Sequence, residues 1–191
     1  PHLLNHSLNH SSFLLPDFPF RQPILNLPID LPPFFWARYD AFERVEGGIF
    51  FSEFNYDKPC AQREIMVSNW INPEGNPNQH FAEKFRAGLV RLWKDYGSGK
   101  PRPTVGIMVD PNHYEETHLA FLYTDLIKPL GYDCIVLGGQ NLIITDEAVT
   151  AFGQSLDIIL RQYPTEFSNE VHDYPKLLKL MARRKVLLVN D

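Results

Sequence analysis

Apolar positions recur at two different spacings along this chain, and the changes of spacing mark out its elements. Phe34 to Glu43 and Gly48 to Tyr56 are aromatic-rich extended segments on either side of Val45-Glu46-Gly47-Gly48, which predicts a β-hairpin with a glycine turn. A polar loop comes after Pro59 and runs through Asn72-Pro73-Glu74-Gly75-Asn76-Pro77-Asn78. Phe81, Phe85, Leu89 and Trp93 then recur every four residues, Val90 and Leu92 widen the stripe, and Gly97 follows it. That pattern predicts an amphipathic helix with a glycine stop. Further along, the spacing predicts a strand over Val105–Val109, a helix over Glu115–Leu130 with Leu119, Leu122, Leu126 and Ile127 inward, and a strand over Cys134–Leu137. Strand, helix and strand in succession make a βαβ unit, which implies a parallel sheet. A hairpin around Asp146-Glu147, a strand over Leu156–Leu160, a helix over Lys176–Arg184 and a last strand over Val186–Val189 complete the expected order. Asn190-Asp191 then lies at the carboxyl end of the last strand, the edge of an open α/β sheet where ligand loops gather.

The first 33 residues break this pattern. They hold seven of the 16 prolines and no sustained period, yet carry Phe13, Leu14, Leu15, Phe18, Phe20, Ile24, Leu25 and Leu27. An irregular arm lying across a folded surface is the expectation. His2, His6 and His10 recur at helical spacing, but with no acidic or cysteine partner nearby a metal site is the weaker reading.

Composition narrows the function classes. Acids outnumber bases 23 to 18, the net charge is −5, and no basic block occurs, which argues against nucleic acid as partner. Two distant cysteines, Cys60 and Cys134, offer neither a disulfide framework nor zinc-ligand spacing, and Cys134 in its apolar strand reads as a small core residue. With no long apolar run and no signal-peptide pattern, the expected compartment is the cytoplasm and no membrane partner is expected. Gly97-Ser98-Gly99-Lys100-Pro101 has the glycines and lysine of a phosphate loop, but it follows a helix and carries Pro101 where a hydroxyl should hold magnesium. It reads as a linker.

The residues that point to chemistry lie on the first hairpin. Residues two apart on a strand share a face, so Arg38 pairs in orientation with Asp40, and Glu53 with Asn55. A two-residue loop at Glu46-Gly47 would place Asp40 opposite Glu53 and Arg38 opposite Asn55. A loop at Gly47-Gly48 would place Asp40 opposite Asn55 with Glu53 on the diagonal. A three-residue loop would shift the pairing by one and separate them. Trp36, Phe42, Ile49 and Phe51 are expected on the same face, with Phe35, Ala37, Tyr39, Phe50 and Phe54 on the other, so both faces are expected to be buried. Two carboxylates and an amide in such surroundings suit Mg²⁺; the plainer alternative is a buried Arg38–Asp40 pair with Glu53 and Asn55 capping neighbouring backbone.

Arg38-Tyr39-Asp40 followed by Glu53-Phe54-Asn55-Tyr56-Asp57-Lys58-Pro59 resembles the R-x-D … E-x-N-x-D-x-P signature of the glutathionylspermidine synthetase-like, circularly permuted ATP-grasp ligases. Val105–Val109 with Asp110-Pro111-Asn112-His113-Tyr114-Glu115-Glu116, and Leu156–Arg161 with Tyr163-Pro164, resemble later parts of that family, so the likeness covers about residues 34–191. The resemblance implies an α/β fold: a Rossmann-like preATP-grasp domain with a parallel sheet over 101–191, preceded by a hairpin and connecting helix of a permuted ATP-grasp sheet over 34–100, with 1–33 as the proline-rich arm. It implies a C–N bond-forming ligase in which ATP phosphorylates a carboxylate and an amine displaces the phosphate. Asp40, Glu53 and Asn55 would hold Mg²⁺, and Arg38 would stabilise charge on the transferred phosphoryl group. Cys60 and Glu64 would contact the acid or peptide, and Glu115 and Glu116 the amine or polyamine, although acids in a first helical turn also serve the helix dipole. Cys60-Ala61-Gln62-Arg63 replaces the family's small hydroxyl residues, which argues against glutathione itself. The family's ATP-gripping residues lie beyond Asp191, so the remainder of the ATP-grasp domain is an expected partner and these residues alone are expected to be inactive. The competing expectation is a non-catalytic Rossmann-like binding module, favoured if Glu53 faces solvent or the carboxylates lie more than about 8 Å apart. A nucleotide-dependent oxidoreductase is weaker still, because Asp110-Pro111-Asn112-His113 lacks the glycine fingerprint.

Overall fold

The structure is a computed structural model that describes residues 35–55, 58–76, 78–163 and 171–190, apart from the side chains of Tyr114 and Glu115. The arm over 1–33 and its three histidines lie outside the described residues.

Four short strands form a parallel sheet in the order β4-β3-β8-β9: β3 (Thr104–Met108), β4 (Asp133–Leu137), β8 (Ile158–Arg161) and β9 (Leu187–Val189). Their near-continuous apolar sequence fits a sheet covered on both faces. Alternation sorts the side chains. Val105, Ile107, Ile158, Leu160, Leu187 and Val189 join one core, while Met108, Leu137, Ile159 and Leu188 join the other.

The first core is closed by α2 (Phe81–Tyr96) through Phe85, Leu89, Leu92 and Trp93, and by α3 (Tyr114–Ile127) through Leu119, Ala120, Tyr123, Leu126 and Ile127. The fourfold spacing read in α2 is thus its buried stripe. Gly97 does end α2, though in extended backbone. Its role is room: a Cβ there would lie 2.1 Å from the Trp93 ring, whose Nε1 donates to Lys100 O at 2.8 Å. Because α2 shares one core with the parallel sheet, packing runs unbroken across residue 100, and Lys100 also pairs with Asp157 at 2.5 Å. Regular α-helix stops in α3 at Ile127 and a 3₁₀ turn covers Lys128–Leu130, since Pro129 has no amide to continue the ladder.

The second core lies on the opposite face, under α4 (Tyr174–Ala182) and a three-stranded antiparallel sheet of β5 (Leu142–Ile144), β6 (Val149–Ala151) and β7 (Gln154–Leu156). The turn expected around Asp146-Glu147 joins β5 to β6. The single strand expected over Leu156–Leu160 is two, broken at Asp157, whose carboxylate accepts from Thr104 N at 2.7 Å while the chain passes from one sheet to the other. With α3 and α4 on opposite faces, the α/β class read from the sequence holds in its parallel sheet and its separate antiparallel hairpin.

That hairpin comprises β1 (Arg38–Glu43) and β2 (Ile49–Asn55). Phe35 and Trp36 tie its base to the first core: Trp36 stacks on Phe85 and Tyr123, and Phe35 meets Phe85 edge-on. Between hairpin and α2 runs a helix the periodicity did not announce, α1 (Gln62–Ile71). No helix among the described residues is long and apolar enough to cross a membrane.

Candidate functional site

The hairpin turn is Val45-Glu46-Gly47, closed by Gly47 N to Arg44 O at 2.9 Å and Arg44 N to Gly48 O at 3.0 Å, with Gly47 at φ +90°. It is therefore the three-residue loop that should separate the four polar residues. A second irregularity reverses that consequence. The register runs Glu43↔Ile49, Phe42↔Phe50 and Ala41↔Phe51, then shifts by one, so that Asp40 faces Glu53 and Arg38 faces Asn55. Ser52 is the extra residue of a β-bulge, and its Oγ donates to Asp40 O at 3.1 Å. One odd loop and one bulge together restore the pairing that an even loop would have given.

The bulge also corrects the expected faces. Phe50 lies opposite Phe42, on the strand face of Asp40, while Phe51 and Ile49 lie opposite Ala41 and Glu43 on the other. Neither face is buried among the described residues. Tyr39, Phe42, Ile49, Phe50, Phe51 and Phe54 are all exposed, as is Glu53, and the Arg38 and Asp40 side chains are each 36% accessible.

Within the cluster Arg38 grips Asp40 with both arms, Nε donating to Oδ1 at 2.7 Å and Nη2 to Oδ2 at 3.2 Å. The Asn55 amide fits when its oxygen accepts from Arg38 Nη2 at 3.0 Å and its nitrogen donates to Glu53 Oε1 at 3.1 Å, an orientation assigned from the network. The Arg38 guanidinium, first of all through its hydrogen bond, holds the Asp40 carboxyl below the usual aspartate range. The arrangement is thus a fixed cation with two carboxylates and an amide around it.

Among the described residues no three His, Cys, Asp or Glu side chains gather to hold a metal, so a cation here would rest on Asp40, Glu53 and the Asn55 oxygen. That all-oxygen donor set fits Mg²⁺ in chemistry, and Mg²⁺ would compete with Arg38 for both Asp40 oxygens. If bound, it would supply charge neutralisation for a phosphate-bearing nucleotide.

The other predicted residues lie after β2. Cys60 is half-buried, its thiol toward Lys58 O at 3.6 Å. Glu64 is exposed in the first turn of α1 and, with Arg63, Val67, Ser68, Ile71 and Asn72, lines a shallow groove of about 580 Å³. Glu115 has no described side chain. Glu116 is not presented to solvent: it is 3% accessible, accepts from Asp110 N at 2.8 Å through Oε2 and pairs with Lys58 through Oε1.

Two further residues join Glu116 at the carboxyl end of β3. His113 Nδ1 lies 3.1 Å from Asp110 Oδ2 and 3.6 Å from Glu116 Oε1, and Asp110 Oδ1 accepts from Asn112 N at 2.9 Å. His113 stands at the N-terminal end of α3, but its side chain makes no capping bond. The spacing of 110, 113 and 116 across a strand-to-helix turn was the available signal. Deeper in, Gln162 Nε2 donates to Tyr123 Oη at 2.9 Å, and burial pushes the Tyr123 phenol well above its ordinary range.

Comparison with protein-family models finds no match for this chain, and no curated protein matches it.

Proposed function

We propose that this chain is part of an ATP-dependent carboxylate–amine ligase of the circularly permuted ATP-grasp type, with Asp40, Glu53 and Asn55 as Mg²⁺ ligands and Arg38 as the stabiliser of phosphoryl charge. The observation that carries the reading is the bulge at Ser52, which brings all four side chains to one place on the hairpin. An isolated ion pair needs no such device. Guanidinium beside an oxygen-rich cation site is an arrangement suited to phosphoryl transfer, where catalysis is largely positioning and charge stabilisation. ATP would supply the phosphoryl group, an acid or peptide near Lys58–Glu64 would receive it, and an amine would displace it. The groove beside Glu64 adds a surface for the acid.

A non-catalytic binding module is the second reading, and the exposure of Glu53 favours it. The two separate in one experiment. Calorimetry with Mg²⁺ and ATP, alongside phosphate release by this chain and by the full gene product, should show Mg²⁺-dependent turnover in the full product only, lost in Arg38→Ala and Asp40→Asn. Turnover by these 191 residues alone would refute the claim that they are a part. Absence of both Mg²⁺ binding and turnover in the full product would leave the binding module standing.

A further inference from the structure

The geometry points to Asp110 and His113 as a proton-accepting dyad at the carboxyl edge of the parallel sheet, an inference that rests on the ligase reading. In the sheet order the chain passes from β3 to β4 on one side and to β8 on the other, so the end of β3 borders the switch point at which open α/β sheets bind ligands. His113 stands there, its side chain 55% accessible.

Both carboxylates that face its Nδ1 are themselves anchored. Asp110 is held through Asn112 N, and Glu116 through Asp110 N and Lys58. An imidazole whose Nδ1–H is donated to a fixed carboxylate presents Nε2 as its lone-pair nitrogen. That lone pair is the group a ligase of this kind requires, because an amine attacks only as its neutral base. Lys58 also brings the two sites together. It follows Asn55 by three residues, a span of at most about 10 Å of extended chain, and its ammonium reaches the same Glu116.

The substrate ammonium gives one proton to His113 Nε2, and the neutral nitrogen so formed bonds to the acyl carbon, its second proton passing to the departing phosphate. The bond from that carbon to the phosphate oxygen then breaks, and its electron pair leaves with inorganic phosphate. The imidazolium finally returns its proton to solvent.

Two measurements test the role. The full gene product would be given ATP, Mg²⁺ and a panel of short peptides, with either spermidine or hydroxylamine as acceptor. Hydroxylamine is already neutral near neutral pH and reports the acyl phosphate without a base. His113→Asn should lower amide formation with spermidine by about 100-fold or more while hydroxamate formation stays within about threefold. Equal losses with both acceptors, or no loss with spermidine, would overturn the role. If the unaltered product makes neither hydroxamate nor amide, the ligase reading falls and this proton acceptor with it. The dyad is judged separately by long-range ¹H–¹⁵N spectra of the ¹⁵N-histidine-labelled chain. These should show the Nδ1–H tautomer of His113, lost in Asp110→Ala. An Nε2–H tautomer in the unaltered chain would overturn the dyad whatever the ligase assay gives.

Discussion

Phe152 occupies the left-handed region at φ +51°, followed by Gly153 at +77°, in the turn between β6 and β7, and its ring is 63% exposed. Two successive positive φ values are the turn that a twisted hairpin wants, but the first position suits Asn or Gly. Phe152→Asn should therefore stabilise the protein by about 0.5–1 kcal/mol in urea titration. Asp40 makes a pH-dependent contribution of known sign. Its folded carboxyl is held below the usual range by Arg38, so its stabilisation is present above about pH 4 and is lost as pH falls through the lower folded value. Melting temperature against pH should be flatter on that acid limb in Asp40→Asn. Cys134 behaves oppositely. Burial, with Asp133 adding to it, pushes its thiol up to about 11. Alkylation of Cys134 should be slow at about pH 8 and accelerate toward its raised pKa. The stabilisation from keeping the thiol neutral is complete below the unfolded value and lost as pH rises through about 11.

At the scale of elements, β3 is buried along its whole length. A Cβ on Gly106 would come within 2.9 Å of both Leu137 Cδ2 and Leu156 Cδ1, one from the neighbouring strand and one from the sheet above. Gly106→Val should cost about 1–3 kcal/mol, read as a lower urea midpoint at unchanged slope. Elements of this kind were legible in the sequence because packing marks it: α2 and α3 carry the periodic stripe of one-sided burial, and the parallel strands carry the short apolar runs of a sheet covered on both faces. Helix α1 was not legible. Val67, Trp70 and Ile71 are exposed, only Gln62 is buried, and with no apolar stripe there is no period to read. The hairpin shows a different limit. Its strands and its four polar residues could be found, but their meeting depends on a loop length and a bulge at Ser52, and serine carries no signature of a bulge. In the first turn of α3, a buried Glu116 paired with Lys58 across 58 residues was beyond any local pattern.

At the scale of the whole molecule, the contacts that tie the hairpin segment to the layered α/β unit are specific. Lys58 meets Glu116, Trp36 stacks on Tyr123, and the Asn190 side chain accepts from Phe35 N at 3.2 Å. Lys58→Met would remove the cation beside an almost wholly buried carboxylate and should cost about 3 kcal/mol, with faster hydrogen exchange at the Asp110 amide. The Asn190 clasp joins positions 155 residues apart. A ribosome adding about 5–20 residues per second needs roughly 8–30 s to travel from one to the other. During that interval Phe35 and Trp36 have left the tunnel while the strand that fastens them has yet to be made. The Asn190 clasp on the hairpin base thus closes later than the stacking of Trp36 on Phe85 and Tyr123, and nascent chains should lack it until β9 emerges.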